Sequence, residues 1–218
     1  MTPPAVLVAV DGAAGSGKST LARGLAQELG VAYINTGLMY RALAAASIRS
    51  NTAADDAEGL VDLARALRFT VDGKNPPELD VEGYLHADLT TPEVELRVSL
   101  VASHPGVRTV MRDRQRTLGA DGAVMEGRDI ATVVLPQAPL KLFVRADRNR
   151  RIGRRADERG DDVDSVGEAL QQRDARDART NPLQPAPGAV VIDTTDLSIE
   201  QTLDAALAAA RRVWPGNP

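Results

Sequence analysis

The sequence predicts an α/β fold in which a parallel five-stranded sheet carries helices on both of its faces. Short apolar runs without polar alternation recur along the chain, as is typical of strands that are buried on both faces. Helical patterns separate these runs, and strands that alternate with helices form parallel sheets. The predicted strands are residues 5–10, 31–34, 123–126, 140–144 and 189–192.

The helices are predicted from the spacing of apolar residues and from signals at helix ends. Leu21, Leu25 and Leu29 lie on one face of a helix over residues 18–29, and Gly30 follows as a stop signal. At the start of the last helix, Ser198 has the spacing of a capping box. The other predicted helices are residues 39–49, 93–103, 107–118 and 147–170, the last of them broken at Gly160.

The amino-acid composition of the chain changes between residues 51 and 91. Glycine, proline and acidic residues become frequent there, and residues 67–71 have the character of a short strand. We interpret this segment as an insertion outside the main sheet.

Composition excludes several classes of function. The 218 residues include no cysteine and two histidines, which rules out disulfides and thiolate metal sites and makes histidine-rich metal centres improbable. A net charge of −4 and 3% aromatic residues argue against a nucleic-acid-binding role. No apolar run approaches the ~20 residues of a membrane span, and the N-terminus lacks the features of a signal peptide, so we expect a cytoplasmic protein.

Residues 12–19 read GAAGSGKS and match the phosphate-binding P-loop pattern G-x-x-x-x-G-K-[ST] between a strand and a helix. The glycines allow backbone amides to turn inward as a nest for anions, and the helix N-terminus adds partial positive charge. We expect Lys18 to reach the β- and γ-phosphates and Ser19 to offer its hydroxyl to Mg²⁺. This predicts a P-loop NTPase-type fold. The predicted ATP-binding residues are Gly12, Ala13, Ala14, Gly15, Ser16, Gly17, Lys18, Ser19 and Thr20.

The P-loop alone does not name the reaction, because GTPases, ATP-driven motors and small-molecule kinases all use it. The chain has no obvious N-K-x-D motif for reading guanine, which disfavours a GTPase. A kinase requires a second pocket for its acceptor.

Polar residues that could form this second pocket follow the second and third strands, at the edge where open α/β sheets bind ligands. Thr36, Tyr40 and Arg41 follow the second strand, and Arg128 and Asp129 follow the third. Arg41 is predicted to clamp an acceptor phosphate, with a solvated helix arginine as the alternative. Thr36 could instead cap the following helix. The alternative for Arg128 and Asp129 is a surface ion pair.

Arginines are concentrated after the fourth strand, and only three of the 26 basic residues in the chain are lysine. We predict a mobile lid that closes over ATP and brings two or three guanidinium groups to the transferring phosphoryl group. An exposed pair of helices laced with salt bridges is the alternative. The arginines after the fourth strand are Arg145, Arg148, Arg150, Arg151, Arg154, Arg155 and Arg159.

On the next helix, Asp177 could accept a hydrogen bond from a ribose hydroxyl.

Taken together, four motifs resemble those of the bacterial cytidylate kinases, which belong to the nucleoside monophosphate kinases. The resemblance covers nearly the whole chain and includes the insertion, which is similar to the enlarged CMP-binding domain of bacterial members. The motifs here are Asp11-Gly12 with Gly17-Lys18-Ser19-Thr20, Thr36-Gly37 with Tyr40-Arg41, Glu126-Gly127-Arg128-Asp129-Ile130-Ala131-Thr132, and Arg173-Asp174 with Asp177.

The resemblance implies transfer of a phosphoryl group from ATP to CMP or dCMP with Mg²⁺. It implies that Arg41 and Arg128 grip the acceptor phosphate and that Arg173 and Asp177 hold the ribose. The cytosine edge would be read by Ser99, Arg108 and Asp129. Arg151, Arg154 or Arg155 would supply the lid arginines. With Lys18, the predicted catalytic residues are Arg128, Arg151, Arg154 and Arg155, and the substrate-binding residues also include Thr36 and Tyr40.

The chain departs from the family pattern at several positions. Asn35 and Glu126 stand where the family has aspartate, and Ala131 replaces a glycine. The arginine that the family places three residues after the aspartate of the fourth motif is Thr180 here, and Arg179 comes one residue early.

These motifs predict three parts of the chain. Residues 1–36, 102–146 and 165–218 would form the ATP-binding core, residues 37–101 the monophosphate-binding domain, and residues 147–164 the lid. We expect a monomer whose partners are nucleotides, with no nucleic acid or membrane partner. The alternatives are a kinase for another small acceptor such as UMP or GMP, and an RNA-binding ATPase.

Overall fold

A five-stranded parallel sheet forms the centre of the computed structural model, which describes residues 5–160, 162–180 and 183–216. The five predicted strands are present, each within one or two residues of its expected position. A separate antiparallel hairpin lies in the insertion. The strands are β1 (Leu7–Gly12), β2 (Ala32–Asn35), β3 (Phe69–Val71), β4 (Leu79–Val81), β5 (Ala123–Gly127), β6 (Leu140–Arg145) and β7 (Val190–Asp193).

Helices connect the strands, and most begin close to the predicted residues. The helices are α1 (Lys18–Leu29), α2 (Thr36–Arg49), α3 (Ala57–Ala66), α4 (Pro92–Val101), α5 (Pro105–Leu118), α6 (Arg148–Arg159), α7 (Val163–Thr180) and α8 (Ile199–Val213). Two shorter helices, a 3₁₀ turn over His86–Leu89 and a π-helix over Ile130–Val134, complete the set in the described ranges.

Three details of the helix prediction were wrong. Helix α2 begins three residues early, at Thr36, so Asn35 is its N-cap and the capping role considered for Thr36 is excluded. Helix α3 lies in a segment predicted to hold only short strand-like pieces, and the Asp56 carboxylate caps it by accepting from the Gly59 amide at 3.0 Å. The π-helix was not predicted.

The sheet order is β2-β5-β1-β6-β7, and every neighbouring pair is parallel. Val8 and Val10 of β1 pack with α1 and α8 on one face, whereas Ala9 packs with the π-helix on the other. Both faces are therefore buried, which explains the absence of polar alternation in these strands.

Helices α2, α3, α4 and α5 form the predicted acceptor side, which has its own apolar core, in which α2 packs against the other three helices. Met39, Leu43 and Met111 are fully buried within it. The segment that leads into β4 runs beside the edge strand β2, where the Tyr33 amide donates to the Pro77 carbonyl at 2.7 Å and Tyr33 forms a parallel bridge with Glu78. Within the described ranges, no helix has both the length and the apolar character needed to cross a bilayer.

Candidate active site

A cleft of about 870 Å³ runs along the carboxyl edge of the sheet, from the P-loop to the helices of the acceptor side. Most of the predicted site residues line it, whereas Gly12, Ala13, Ser16, Arg151 and Arg154 lie outside its lining. The predicted residues in the lining are Ala14, Gly15, Gly17, Lys18, Ser19, Thr20, Thr36, Tyr40, Arg41, Ser99, Arg108, Arg128, Asp129, Arg155 and Asp177.

The P-loop has the backbone that its glycines predict. Gly15 and Gly17 have φ values of 72° and 84°, in the left-handed region that favours glycine. A Cβ atom on Gly12 would stand 2.3 Å from the carbonyl oxygen of Val144, so the loop passes too close to β6 for a side chain. The loop ends at the N-terminus of α1, which favours bound anions.

The Glu126 carboxylate lies at the end of β5, only 1% exposed, and contacts three residues around the P-loop. Its Oε2 accepts from the Ser19 hydroxyl at 2.9 Å and lies 3.6 Å from Lys18 Nζ. Its Oε1 accepts from the Tyr33 hydroxyl at 2.5 Å. Burial, and then the negative charge of Glu126, raise the pKa of Tyr33, so this phenol stays protonated as a donor.

The loop after β5 is fixed by a buried carboxylate on the neighbouring strand. Asp11 accepts from the backbone amides of Ile130 and Ala131 at 2.9 and 2.8 Å. Burial raises the pKa of Asp11, and the two amide hydrogen bonds oppose that shift. These bonds hold the start of the π-helix and thereby place Arg128 and Asp129 at the cleft.

Asp129 is the centre of an ion-pair cluster at the end of the cleft opposite the P-loop, the predicted acceptor end. Its Oδ2 accepts from Arg108 at 2.8 Å and from Arg112 at 3.1 Å, so these two arginines share a face of α5. Arg108 is only 8% exposed. Burial also raises the pKa of Tyr40, whose ring lies near this cluster. Asp129 therefore presents an oriented carboxylate to the cleft.

Arg41 and Arg128 lie between the P-loop and this acceptor end. Arg41 is buried, which excludes the solvated alternative, and it donates to the Leu89 carbonyl at 3.0 Å and to Glu95 Oε1 at 2.6 Å. Arg128 donates to the carbonyl of Gly12 and pairs with Asp177 at 2.9 Å. The Thr36 hydroxyl donates to the Glu126 carbonyl at 2.7 Å. Arg128 and Asp129 have separate partners and do not form the surface pair considered above.

The three arginines predicted for the lid lie in different surroundings. Arg151 donates to the P-loop carbonyl of Ala14 at 3.2 Å and pairs with Asp174, whereas Arg154 donates to both oxygens of Thr194. Arg155 lines the cleft and lies 3.3 Å from Glu95 Oε1. The side chains of Arg159, Arg173, Arg179 and Thr180 lie outside the described residues.

Comparison with known proteins identifies the family. A sequence model of the cytidylate kinases matches residues 8–212. The chain belongs to the cytidylate kinase family. The cytidylate kinase of Streptomyces avermitilis is 40% identical over 212 residues, which cover 93% of this chain and 91% of that protein. The cytidylate kinase of Caldanaerobacter subterraneus is 40% identical over 97% of both chains, and that of Granulibacter bethesdensis is 41% identical over 96% of this chain and 99% of that protein.

As a cytidylate kinase family member, the protein is an enzyme of the nucleoside monophosphate kinase class. The P-loop and the arginines of the predicted acceptor side fit a phosphoryl-transfer enzyme. Such enzymes act chiefly by positioning the phosphate groups of their substrates and by neutralising the negative charge of those groups. The kinase prediction from the motifs is thereby confirmed.

Three residues of this family member's site were not recognised in the sequence: Asp11 as the support of the third motif, Tyr33 and Glu95. Tyr33 lies three residues before Thr36 of the second motif, and its pairing with Val124 of β5 brings its hydroxyl to Glu126, two residues further along that strand. Glu95 is one of two acidic residues in the first turn of α4, where helix-end charge alone explains them. Neither Tyr33 nor Glu95 has a sequence pattern around it that distinguishes it from an ordinary strand or helix residue.

Proposed function

We propose that this kinase transfers the γ-phosphoryl group of ATP to CMP and dCMP by direct in-line displacement. An oxygen of the acceptor phosphate forms a bond to the γ-phosphorus while the bond to the ADP oxygen breaks, so ADP and CDP or dCDP result. The observation that carries the proposal is one continuous cleft with the P-loop at one end and the Arg108–Asp129 pair at the other. Relatives at about 40% identity that bear the name cytidylate kinase support it.

The acceptor end suits the edge of cytosine. The Asp129 carboxylate can accept from the exocyclic amino group, which uracil replaces with an oxygen that the carboxylate would repel. Arg108 can donate to ring N3, and Ser99 and Thr36 add hydroxyl groups to the same cleft. Asp177, with Arg173 on the same helix, would hold the ribose.

The middle of the cleft suits two phosphate chains that meet end to end. Lys18 and the P-loop amides would hold the ATP phosphates, and Arg41 and Arg128 the acceptor phosphate. Arg155 faces the cleft and would neutralise charge on the transferring group. Arg151 donates to the P-loop carbonyl of Ala14, and Arg154 donates to the Thr194 hydroxyl, which in turn donates to the P-loop carbonyl of Ser16. The mechanism needs no general base, because the acceptor phosphate is already anionic.

The P-loop end also fits Mg²⁺. Ser19 Oγ and Glu126 Oε2 place two hard oxygen donors 2.9 Å apart beside Lys18. Residues 5–160, 162–180 and 183–216 hold no cluster of three or more histidine or acidic groups, so further ligands would be phosphate oxygens and water, as Mg²⁺ prefers. Ser19 would hold the ion with Glu126 beside it, and the bound ion would neutralise charge on the β- and γ-phosphates.

The predicted cellular location, oligomeric state, partners and domain boundaries are also part of this proposal. We propose a cytoplasmic monomer with no nucleic-acid or membrane partner, in agreement with its net charge of −4. Residues 37–101 would move as the monophosphate-binding domain and residues 147–164 as the lid, relative to the remaining core.

The proposal is tested by ADP release with CMP, dCMP, UMP, GMP and AMP as acceptors at matched concentrations. We expect kcat/KM for CMP and dCMP to exceed that for UMP by at least about tenfold, since one mispaired polar contact in a closed site costs ~1.4 kcal/mol or more. Faster turnover with UMP or GMP would reject the acceptor. RNA-stimulated hydrolysis without a phosphorylated acceptor would reject the kinase mechanism in favour of an RNA-binding ATPase.

A further inference from the structure

Glu95 joins the two sides of the cleft through a single carboxylate oxygen. Its Oε1 accepts from Arg41 at 2.6 Å and from Arg155 at 3.3 Å, and the three residues lie on α4, α2 and α6. The side chains of Arg41, Glu95 and Arg155 are 10%, 16% and 24% exposed, so water screens these contacts only in part.

An oxyanion between two guanidinium groups is the arrangement that a phosphate oxygen would adopt there. Arg41 is assigned to the acceptor phosphate in the proposed function, and Arg155 to the transferring group. The carboxylate of Glu95 and the acceptor phosphate would repel each other if both occupied this place.

We infer that Glu95 is an internal competitor for the acceptor phosphate: its carboxylate occupies the place between Arg41 and Arg155 until a phosphate group displaces it. This inference rests on the proposed function for its physiological ligand. Arg41 keeps its bond to the Leu89 carbonyl when Glu95 leaves, so the guanidinium stays oriented for the incoming phosphate.

The exchange has two consequences for the enzyme. The apparent affinity for the acceptor is reduced by the fraction of molecules in which Glu95 holds the site. Arg155 is also held on the acceptor side, away from ATP, until an acceptor arrives. Glu95 thereby sets the acceptor concentration at which the site becomes complete.

The packing of α4 does not depend on the Glu95 carboxylate. Val94, Val98 and Val101 bury the inner face of the helix, and the Thr91 hydroxyl caps it by accepting from the Val94 amide. Glu95→Gln keeps the shape of the side chain and removes its charge. Glu93→Gln is a matched control, because Glu93 lies in the same first turn and is exposed.

The direct test is the binding of inorganic phosphate, measured by calorimetry in the presence of saturating ADP, which fills the P-loop, for the wild type, Glu95→Gln, Glu95→Ala and Glu93→Gln. We expect both Glu95 variants to bind phosphate about three- to tenfold more tightly and Glu93→Gln to match the wild type, as removal of one competing charge-assisted contact implies. Unchanged or weaker phosphate binding in both Glu95 variants would overturn the inference.

Kinetics give a second readout that a merely structural role would not produce. We expect the KM for CMP to fall in Glu95→Gln by a factor similar to that for phosphate, whereas a distorted site would raise KM or lower kcat. An unchanged or raised KM would contradict the inference. If the wild type failed to phosphorylate CMP, the proposed function would fail while the phosphate measurement still decided the role of Glu95.

Discussion

Replacement of Arg128 by alanine is expected to lower kcat about a thousandfold, while the Kd for ATP stays within about threefold of the wild type. Arg128 follows β5, and its guanidinium spans from the Gly12 carbonyl at the start of the P-loop to Asp177 on α7. That position lies where the acceptor phosphate would meet the transferring group. Its positive charge would therefore act mainly on charge that develops in the transition state.

Two further variants test whether the loss of turnover comes from the missing charge of Arg128, from its missing planar group or from a general disturbance of the protein. Arg128→Lys keeps the charge but loses the planar fork, and we expect it to recover no more than about tenfold of the lost kcat. Arg65→Ala removes an arginine that is 67% exposed in a pair with Asp62, and should leave turnover at the wild-type level. A folded Arg128→Ala enzyme with turnover within fivefold of the wild type would show that the assignment is wrong.

The second large effect is expected for Lys18→Met, which keeps the length of the side chain but removes its ammonium group. We expect kcat to fall about a thousandfold and the Kd for ATP to rise about tenfold, because Lys18 would neutralise the β- and γ-phosphates in both the bound and the transition state. Removal of the ammonium group also leaves the Glu126 carboxylate without the positive charge that lies 3.6 Å from it, so this buried carboxylate would repel the phosphates.

The separate effects on the affinity for ATP and on the affinity for CMP distinguish the role of Lys18 from that of Arg128. Binding of CMP alone should be unaffected in Lys18→Met, as measured by calorimetry in the absence of ATP. Lys74→Met is the control, since Lys74 is 73% exposed in the insertion and pairs with Asp72. Unchanged ATP affinity together with weakened CMP binding in Lys18→Met would contradict the placement of ATP at the P-loop.

The sheet could be predicted from the sequence because each strand is a short apolar run between turn residues, with both faces buried. Helix α3 was missed because it begins with Ala57-Glu58-Gly59, which has no apolar run, and lies in the glycine- and proline-rich insertion. Its buried Leu60 and Ala64 nevertheless have helical spacing, and that signal could have identified it.

Contacts between distant parts of the chain explain what sequence reasoning could not predict. The π-helix is held by Asp11, which lies 119 residues before Ile130, and no local pattern encodes that bond. The motif arginines were found because glycine and charge at strand ends are unusual. Their partners, such as Glu95, lie on helices, where an acidic residue usually faces solvent.

The central claim is that ATP and a cytidine monophosphate meet end to end in one cleft. Adenosine and cytidine joined by a chain of five phosphates would occupy both places at once, and its inhibition pattern tests the claim most directly. We predict inhibition competitive with both ATP and CMP, with a Kd at least about a hundredfold below that of either nucleotide. Inhibition competitive with ATP alone would contradict the account.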